Sequence, residues 1–362
     1  MKMKSSLSGV LLVLLLGGAC VSGLGSVVQR YYNYIHSHVT WHYAQNYCKS
    51  STYYVDLATI FGQSDEDKIT MTQYHAWIGL YKLTEDLNWA WSDGQSYSYS
   101  EARWQESQPH SNSDCATVYY PYQRTYGQGC GAYFFFFCHD KKKKHNDYKF
   151  IPKSKTWSEA QQYCREHSDY DDLASFRDYE NAPKIVVEQN FPVWTGLHRD
   201  GGTFRWSTME SDYTNWANGE PRGDGDCVSI YSTSKELATQ DCSARLPYVC
   251  FRHNVILVKE NKTWEEALEH CRALGRDLLS VQPEEDHDFV MVMVMQAETD
   301  EMWTGLRFLG DQWLWVNRAP LSHTDLPPCP PERQRCGVLN KNSTGSVETL
   351  DCTERRNFLC YT

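Results

Sequence analysis

Trp194-Thr195-Gly196-Leu197 is the stretch that decides the fold, because it occurs three times with one variation. Trp77-Ile78-Gly79-Leu80 precedes it and Trp303-Thr304-Gly305-Leu306 follows it. Each copy lies between an upstream Thr-Trp…Cys segment, with seven positions from tryptophan to cysteine, and a downstream triplet of cysteines. Self-similarity at a fixed period indicates repeated structural units, here of about 110 residues each. The chain therefore contains three units on one plan.

The cysteines follow the same frame in every repeat. The last three of each repeat are separated by 15 and 8, by 15 and 8, and by 16 and 8 positions. None forms the Cys-x-x-Cys pair that indicates zinc or redox chemistry. Regular spacing of this kind predicts a disulfide framework made in an oxidising compartment. The twelve framework cysteines are Cys48, Cys115, Cys130, Cys138, Cys164, Cys227, Cys242, Cys250, Cys271, Cys336, Cys352 and Cys360.

The N-terminus predicts export. Lys2 and Lys4 precede an apolar run over residues 10–16, and small residues follow. This is the pattern of a secretory signal peptide, which we place at residues 1–23. No later stretch approaches the twenty or so apolar residues of a membrane span. We expect a secreted extracellular protein, with a membrane-anchored parent that has lost its tail as the alternative.

Charge and motifs exclude two function classes. The formal net charge of −11 argues against nucleic-acid binding, which needs a basic face. The one basic cluster, Lys141 to Lys144, is read as a solvated linker in preference to a heparin-like site. No nucleophile motif accompanies the serines, histidines and aspartates, so we expect no enzymatic activity.

The start of each repeat predicts a capped helix. Thr156 and Thr263 stand three residues before a glutamate, as in a capping box, whereas Thr40 has Tyr43 at that position. Tryptophan, alanine and cysteine then fall at i, i+3 and i+7 on one face, turned toward a core. Second helices are expected to start near Ser64, Asp178 and Pro283.

The rest of each repeat predicts strands around a long loop. The Trp-x-Gly-Leu strand is followed by an aromatic strand, a Gly/Pro/Asn/Ser-rich loop and two strands that carry the last three cysteines. The expected class is α+β: two helices, small antiparallel sheets, a long loop and two disulfides per repeat.

Taken together, these motifs strongly resemble the C-type lectin-like domain. The resemblance covers three tandem domains, expected at residues 31–139, 147–252 and 254–361, in an arrangement similar to the macrophage mannose receptor group. It implies that glycans or glycoproteins are the partners. By analogy with this frame, the first cysteine of each repeat pairs with its fourth and the second with its third. That gives Cys48–Cys138, Cys164–Cys250, Cys271–Cys360, Cys115–Cys130, Cys227–Cys242 and Cys336–Cys352.

Sugar-binding members of the family hold calcium with Glu-Pro-Asn or Gln-Pro-Asp in the loop and with a later Trp-Asn-Asp. The second repeat has Glu220-Pro221-Arg222, in which an arginine replaces the asparagine ligand, and its later slot reads Leu237-Ala238-Thr239. Asp224, Asp226 and Asp241 would substitute only in a rearranged loop. Calcium needs six to eight oxygens. The resemblance therefore leaves calcium as a candidate at the second repeat alone, with Glu220 as the matching ligand.

The other two repeats depart further from the calcium pattern. The first has Gln108-Pro109-His110, and its later slot is Thr125-Tyr126-Gly127. The third has Cys329-Pro330-Pro331. The proline recurs in all three, and we predict that it is cis and shapes the loop with or without metal. Gln108 and His110 remain candidate ligand-binding residues.

A second function class is calcium-independent binding of a cell-surface protein. Arg222-Gly223-Asp224 lies in the loop of the second repeat and is a tripeptide that integrins read on exposed loops. Tyrosines are frequent around the loop of the first repeat. Three roles are open for them: stacking on sugars, contact with a protein partner, and packing within the domain. These tyrosines include Tyr119, Tyr120, Tyr122 and Tyr126.

Three further residues carry separate predictions. Cys329 is left over after the framework cysteines pair, which indicates a free thiol or a disulfide-linked dimer. Pairing with Cys20 is the alternative, if signal cleavage falls just after Ala19. Asn261 and Asn342 fit the N-glycosylation pattern and should be exposed.

Overall fold

The computed structural model describes residues 28–83, 88–94, 97–98, 102–142, 148–175, 182–281, 287–319, 321, 326–342 and 346–362. The predicted signal peptide and Cys20 lie outside these ranges. The strands are β1 Arg30–Val39, β2 Asp56–Leu57, β3 Tyr74–Lys82, β4 Trp89–Trp91, β5 Cys115–Tyr120, β6 Arg124–Gln128, β7 Phe134–Asp140, β8 Tyr148–Lys155, β9 Tyr170–Leu173, β10 Pro192–Asp200, β11 Thr203–Trp206, β12 Cys227–Tyr231, β13 Leu237–Gln240, β14 Leu246–His253, β15 Val255–Lys262, β16 Asp277–Leu278, β17 Glu301–Leu309, β18 Gln312–Trp315, β19 Cys336–Asn340, β20 Val347–Leu350 and β21 Arg356–Tyr361.

The long helices begin as predicted. They are α1 Trp41–Ser50, α3 Trp157–Glu166 and α5 Trp264–Ala273. Both bonds of the capping box form in α3 and α5, whereas α1 has only the bond from the Tyr43 N–H to the Thr40 side chain. The predicted tryptophan, alanine and cysteine of each helix are buried.

The short helices are α2 Gln63–Lys68, α4 Ala182–Ile185 and α6 His287–Met295. Ser64 lies in α2, as expected. The expected helix starts at Asp178 and Pro283 lie outside the described residues. Within the described part of the chain, none of the helices combines the length and the hydrophobicity that a bilayer crossing requires.

The strands form three seven-stranded sheets with one topology. Module C is built from the third repeat alone, in the order β15-β21-β17-β19-β20, with β16 on β21 and β18 on β17. In module A the order is β8-β7-β3-β5-β6, with β9 on β7 and β4 on β3. In module B it is β1-β14-β10-β12-β13, with β2 on β14 and β11 on β10. The first two repeats have therefore exchanged their opening segments, β1-α1-β2 for β8-α3-β9.

The helix tryptophans show the exchange at atomic distance. The Trp41 Nε1–H of the first repeat donates to the Thr195 carbonyl of the second, at 2.7 Å. The Trp157 Nε1–H of the second repeat donates to the Ile78 carbonyl of the first, at 2.9 Å. In module C the same bond, from Trp264 at 2.9 Å, stays within the third repeat. Each opening helix thus docks on a Trp-x-Gly-Leu strand, and in modules A and B the strand belongs to the neighbouring repeat.

Two predicted disulfides are therefore wrong. Cys48 pairs with Cys250 and Cys138 pairs with Cys164, with Cα–Cα distances of 5.6 and 5.5 Å, in place of Cys48–Cys138 and Cys164–Cys250. The physical reason is that each helix cysteine follows its helix into the other module. The remaining four predicted bridges form: Cys115–Cys130, Cys227–Cys242, Cys271–Cys360 and Cys336–Cys352.

The length of the connections explains which repeats exchange. Residues 141–147 lie between β7 and β8, which is enough to reverse the chain, and the two strands pair as neighbours with Phe137 opposite Phe150. Only Asn254 lies between β14 and β15. Because the tightest common β-hairpins use two connecting residues, β15 does not fold back onto β14. It pairs with β21, and module C closes on itself.

The glycine of Trp-x-Gly-Leu is needed for the docking of the exchanged segment. The Gly196 N–H donates to the Ala58 carbonyl at 2.9 Å. A Cβ at Gly196 would lie 3.1 Å from that oxygen and 3.2 Å from the Leu57 carbonyl. Glycine is therefore the residue that lets the β2 segment approach β10 so closely.

Modules A and B meet through a buried aromatic contact. The Phe191 ring lies 5.2 Å from Phe135, 5.8 Å from Tyr74 and 6.4 Å from Tyr34. Next to it, His38 of β1 contacts the Phe135 ring at 4.5 Å and the Ser154 hydroxyl at 2.5 Å. These contacts join strands of both modules in one core.

Two histidines, His38 at this interface and His75 of β3, make stability depend on pH. Burial lowers the pKa of His38 and of His75 to about 3 each. A histidine whose folded pKa lies below its unfolded value of about 6.5 contributes stability above that pH and loses it as the pH falls toward the folded pKa. At pH 5 each is expected to reduce the unfolding free energy by roughly 2 kcal/mol.

Denaturant unfolding at pH 7.5 and pH 5 measures this loss. The variant His38→Gln, His75→Gln should be less sensitive to the pH change than the natural chain. His42→Gln, at an exposed position, is the matched control. Equal sensitivity of the double variant and the natural chain would contradict the assignment.

Candidate functional site

The long loop of the second repeat lies over β13. Trp216 forms a bridge with Leu237, the Ala217 N–H donates to the Leu237 carbonyl at 2.9 Å, and the Leu237 N–H donates to the Asn215 carbonyl at 2.7 Å. The Glu220-Pro221 peptide bond is cis, as predicted. This geometry places the Glu220 side chain against β13.

Both carboxylate oxygens of Glu220 are engaged by groups of the loop and of β13. Oε2 accepts from the Thr239 hydroxyl at 2.5 Å, from the Thr239 N–H at 3.1 Å and from the Arg222 N–H at 3.0 Å. Oε1 lies 3.2 Å from the Arg222 Nε. The Glu220 side chain is only 8% exposed. The residue that matches the family's calcium ligand thus serves as an internal clamp between the loop and β13.

The electrostatics keep this clamp ionised. Burial acts to raise the pKa of Glu220, but the hydrogen bonds from Thr239 and Arg222 and the arginine charge outweigh it and hold the pKa below its usual value. Hydrogen bonds to the charged form favour that form. The carboxylate is therefore compensated from within the chain.

The first repeat contains a neutral version of the clamp. Gln108-Pro109 is also cis, and the Gln108 Oε1 accepts from the Gly127 N–H at 3.0 Å. The Gln108 Nε2 lies 2.8 Å from the His110 Nε2. Gly127 occupies the same slot as Thr239. The sequence shows that Glu220 and Gln108 each precede a proline. It does not show that each side chain accepts from a backbone N–H of the neighbouring strand.

The third repeat differs. The cis peptide bonds of the described residues are Gln108-Pro109, Tyr120-Pro121 and Glu220-Pro221, so the prediction of a cis proline after Cys329 is wrong. Cys329 takes the place of Glu220 and Gln108 and has no carboxylate or amide with which to clamp a strand. It is a free, exposed thiol.

The acidic residues of the second loop stand apart from Glu220. Asp224, Asp226 and Asp241 line a shallow surface pocket of about 280 Å³. Asp226 lies 3.5 Å from the Arg199 Nε, and the Asp241 carboxylate accepts from the Ser243 N–H at 2.8 Å. Across the described ranges, no three or more His, Cys, Asp or Glu side chains are grouped so as to hold a metal ion.

Arg222-Gly223-Asp224 is exposed on this loop, as expected. Its arginine is anchored, however. The Arg222 side chain contacts Glu220, and its carbonyl accepts from the Arg199 guanidinium at 2.8 Å. Asp224 is the exposed acidic end of the tripeptide.

The tyrosines of the first loop pack mainly against one another. Tyr119 lies 5.6 Å from both Tyr122 and Tyr126 and stacks on His75 at 4.4 Å. Tyr120 stacks on Tyr74 at 5.5 Å. Most of these tyrosines therefore serve to pack the domain. Tyr122 is the exception, with 65% of its surface exposed.

The two glycosylation candidates lie at the surface. Asn261 and Asn342 are both exposed. The Asn261 Oδ1 accepts from the Asn357 amide at 2.8 Å. Residues 343 and 344, which complete the second acceptor pattern, lie outside the described ranges.

A family model described as Lectin C-type domain matches residues 37–140, 153–252 and 260–362. The three matches follow one another along the chain, as the repeat pattern predicted. The resemblance drawn from the sequence is therefore confirmed.

Curated relatives agree with this match. C-type mannose receptor 2 of Rattus norvegicus is 22% identical over 84% of this chain and 26% of its own length. Secretory phospholipase A2 receptor of Homo sapiens is 25% identical over 60% and 18%, and Lymphocyte antigen 75 of Homo sapiens is 24% identical over 80% and 21%. The chain spans about a quarter or less of the length of these relatives.

Similar solved structures each cover about a third of this chain. The C-type lectin domain of murine dendritic cell inhibitory receptor 2, in complex with N-glycan, is 21% identical over 31% of this chain and 89% of that one, with a TM-score of 0.26. Human lithostathine is 18% identical over 29% and 80%, also with a TM-score of 0.26.

Proposed function

Because the chain belongs to the C-type lectin domain family, we propose that it is a secreted, non-enzymatic recognition protein. Its partners are glycans or glycoproteins, bound at the long-loop faces without calcium. Two of the three relatives are named as receptors, which supports ligand binding as the function of this chain.

The Glu220 clamp is the observation that carries the calcium-independent part. Calcium takes six to eight oxygen ligands, several of them carboxylates. Here the matching carboxylate is saturated by Thr239 and Arg222, and the guanidinium brings positive charge to the same place. Ala238 and Thr239, which are buried, stand where the family places its asparagine and aspartate ligands, and the Thr239 hydroxyl is already bound to Glu220. The clamp holds the loop against β13 through contacts within the chain.

Calcium addition is the direct test. A ligand that binds only the native state increases the unfolding free energy, by about 2.7 kcal/mol at one hundred times its Kd. The thermal midpoint rises as a result. We expect no shift of the full chain's midpoint at millimolar calcium, and binding to immobilised N-glycan glycopeptides that survives a chelator. A midpoint shift together with elution by chelator would contradict calcium independence.

Glu220 variants test the clamp itself. Glu220→Ala leaves the Thr239 N–H and the Arg222 charge without their acceptor, and should lower the unfolding free energy by about 1–3 kcal/mol. Glu220→Gln keeps an acceptor oxygen, as Gln108 does in the first repeat, and should lose less. Equal losses in the two variants, measured by denaturant unfolding, would contradict the clamp.

Calcium-independent binding of a cell-surface protein is the second candidate. The exposure of Asp224 at the end of Arg222-Gly223-Asp224 favours it. Under this reading, Asp224→Ala abolishes adhesion of integrin-bearing cells to the immobilised chain, with Asp226→Ala as the control. Adhesion that is unaffected by Asp224→Ala would remove the integrin-type contact.

A further inference from the structure

We propose that a cleft between β8 of module A and the β12–β14 side of module B binds an acidic saccharide, one that carries sulfate or carboxylate groups. The cleft has a volume of about 400 Å³, which is within the range of small-ligand pockets. It lies outside the long loops, so this binding is independent of the recognition proposed above. It exists because the exchange brings β8 beside module B.

The cleft combines flat apolar faces with a few polar groups. Its lining includes Pro152 and Pro192 from opposite modules, together with Tyr231 and Leu246. Rings and aliphatic side chains of this kind can contact the C–H faces of a sugar. Gln240 adds an amide for hydroxyl groups. These features suit a saccharide ring better than a bare ion.

Three cations line the same cleft: Lys153, Lys155 and Arg245. Aromatic rings hold two of them, with the Lys153 Nζ 5.2 Å from the Tyr163 ring centroid and the Arg245 Cζ 4.1 Å from that of Tyr133. Within the described residues, no carboxylate lies at salt-bridge distance from any of the three cations. Because a ring face orients a cation without neutralising it, these charges stay available to an anion.

Nearby carboxylates offset this charge only in part. Glu159 faces Lys155 and Arg245 and stays ionised, but its hydrogen bonds are made with Thr156, whose N–H and hydroxyl both donate to Oε2 at 2.9 Å. At the Tyr231 end of the cleft, the nearby carboxylates are those of Glu220, which is paired with Arg222, and of Glu236. A cleft with three cations is therefore a local exception in a chain of formal net charge −11.

The strand at this cleft favours a saccharide over an acidic peptide. β8 is an edge strand of module A, and an extended peptide would bind it by adding a further strand. Pro152 lies in the middle of β8 and has no N–H to offer to such a ladder. Side chains, and not the strand backbone, are left to make the contacts.

Binding of a heparin-derived hexasaccharide to the full chain in the presence of a chelator tests this site. A hyaluronan hexasaccharide distinguishes carboxylate from sulfate recognition, and a glutamate hexapeptide tests the peptide alternative. The variant Lys153→Ser, Lys155→Ser, Arg245→Ser should bind at least one acidic saccharide about tenfold to hundredfold more weakly, since it removes three exposed ion pairs that each contribute up to about fivefold. The matched control is Lys141→Ser, Lys142→Ser, Lys149→Ser, which removes three lysines outside the cleft lining.

A thermal midpoint equal to that of the natural chain shows that the triple variant is folded. Lys153→Glu, at an exposed position, is the second variant and should also weaken binding. Unchanged binding by both cleft variants would overturn the site. So would a loss of binding in the control variant instead, or equal affinity for the glutamate peptide.

Discussion

Replacing Cys48 and Cys250 together by serine is expected to lower the unfolding free energy by about 5 kcal/mol in the loop-entropy model, because the bridge closes a loop of 202 residues. This is of the order of the whole stability of a typical domain. Modules A and B share the Phe191 core, so both should lose stability together, as measured by denaturant unfolding.

The variant Cys48→Ser, Cys138→Ser is the informative control. With the exchanged pairing it breaks two bridges, Cys48–Cys250 and Cys138–Cys164, and leaves two thiols without partners. It should be less stable than Cys48→Ser, Cys250→Ser by about 3.5 kcal/mol, the contribution expected for a loop of 26 residues. Thiol titration of the unfolded chains should find two more thiols in it. The reverse order of stability and of thiol count would contradict the exchange.

Arg30→Ala is expected to lower the unfolding free energy by about 3–5 kcal/mol, since it leaves the buried Asp65 carboxylate with only the half-exposed Lys68, 3.5 Å away, as an ion partner. The Arg30 Nε lies 2.8 Å from the Asp65 carboxylate, and the two side chains are 2% and 0% exposed. The Arg30 guanidinium also lies 5.5 Å from the rings of Phe61 and Phe289, and Phe289 belongs to α6 of the third repeat. The arginine therefore joins module B to the third repeat.

Two comparisons isolate the buried pair. Arg30→Met together with Asp65→Leu removes both charges and should lose less stability than Arg30→Ala. Arg355→Ala breaks an exposed pair with Glu266, whose side chains are 57% and 45% exposed, and should change stability very little because solvent screens the pair. A loss from Arg30→Ala no larger than that from Arg355→Ala would show that the buried pair contributes little.

Much of each module could be predicted from local pattern. Thr156 and Glu159 specify where α3 begins, and the cysteine frame specifies which elements carry sulfur. The exchange could not be predicted from that pattern, because the helices that begin at Trp41 and Trp157 bury the same residue types: a tryptophan, an alanine and a cysteine. Either helix suits either Trp-x-Gly-Leu strand. The discriminating feature was the connection length, one residue at Asn254 against seven at 141–147.

The candidate site was predictable in its residues but not in its contacts. The sequence identified Glu220 as the matching ligand position and Arg222 as the departure from the family pattern. It did not reveal that Thr239 donates two hydrogen bonds to Glu220, since that depends on where β13 lies under the loop. The cleft cations were missed for a related reason. Lys153 and Arg245 are 92 positions apart and line one cleft because of how the two modules pack.

Disulfide mapping of the unreduced, trypsin-digested chain tests the exchange most directly. The account predicts that peptide 31–49, which contains Cys48, is linked to peptide 246–252, which contains Cys250. It also predicts that peptide 156–165, which contains Cys164, is linked to peptide 125–141, which contains Cys138. Recovery of 31–49 joined to 125–141, and of 156–165 joined to 246–252, would contradict it.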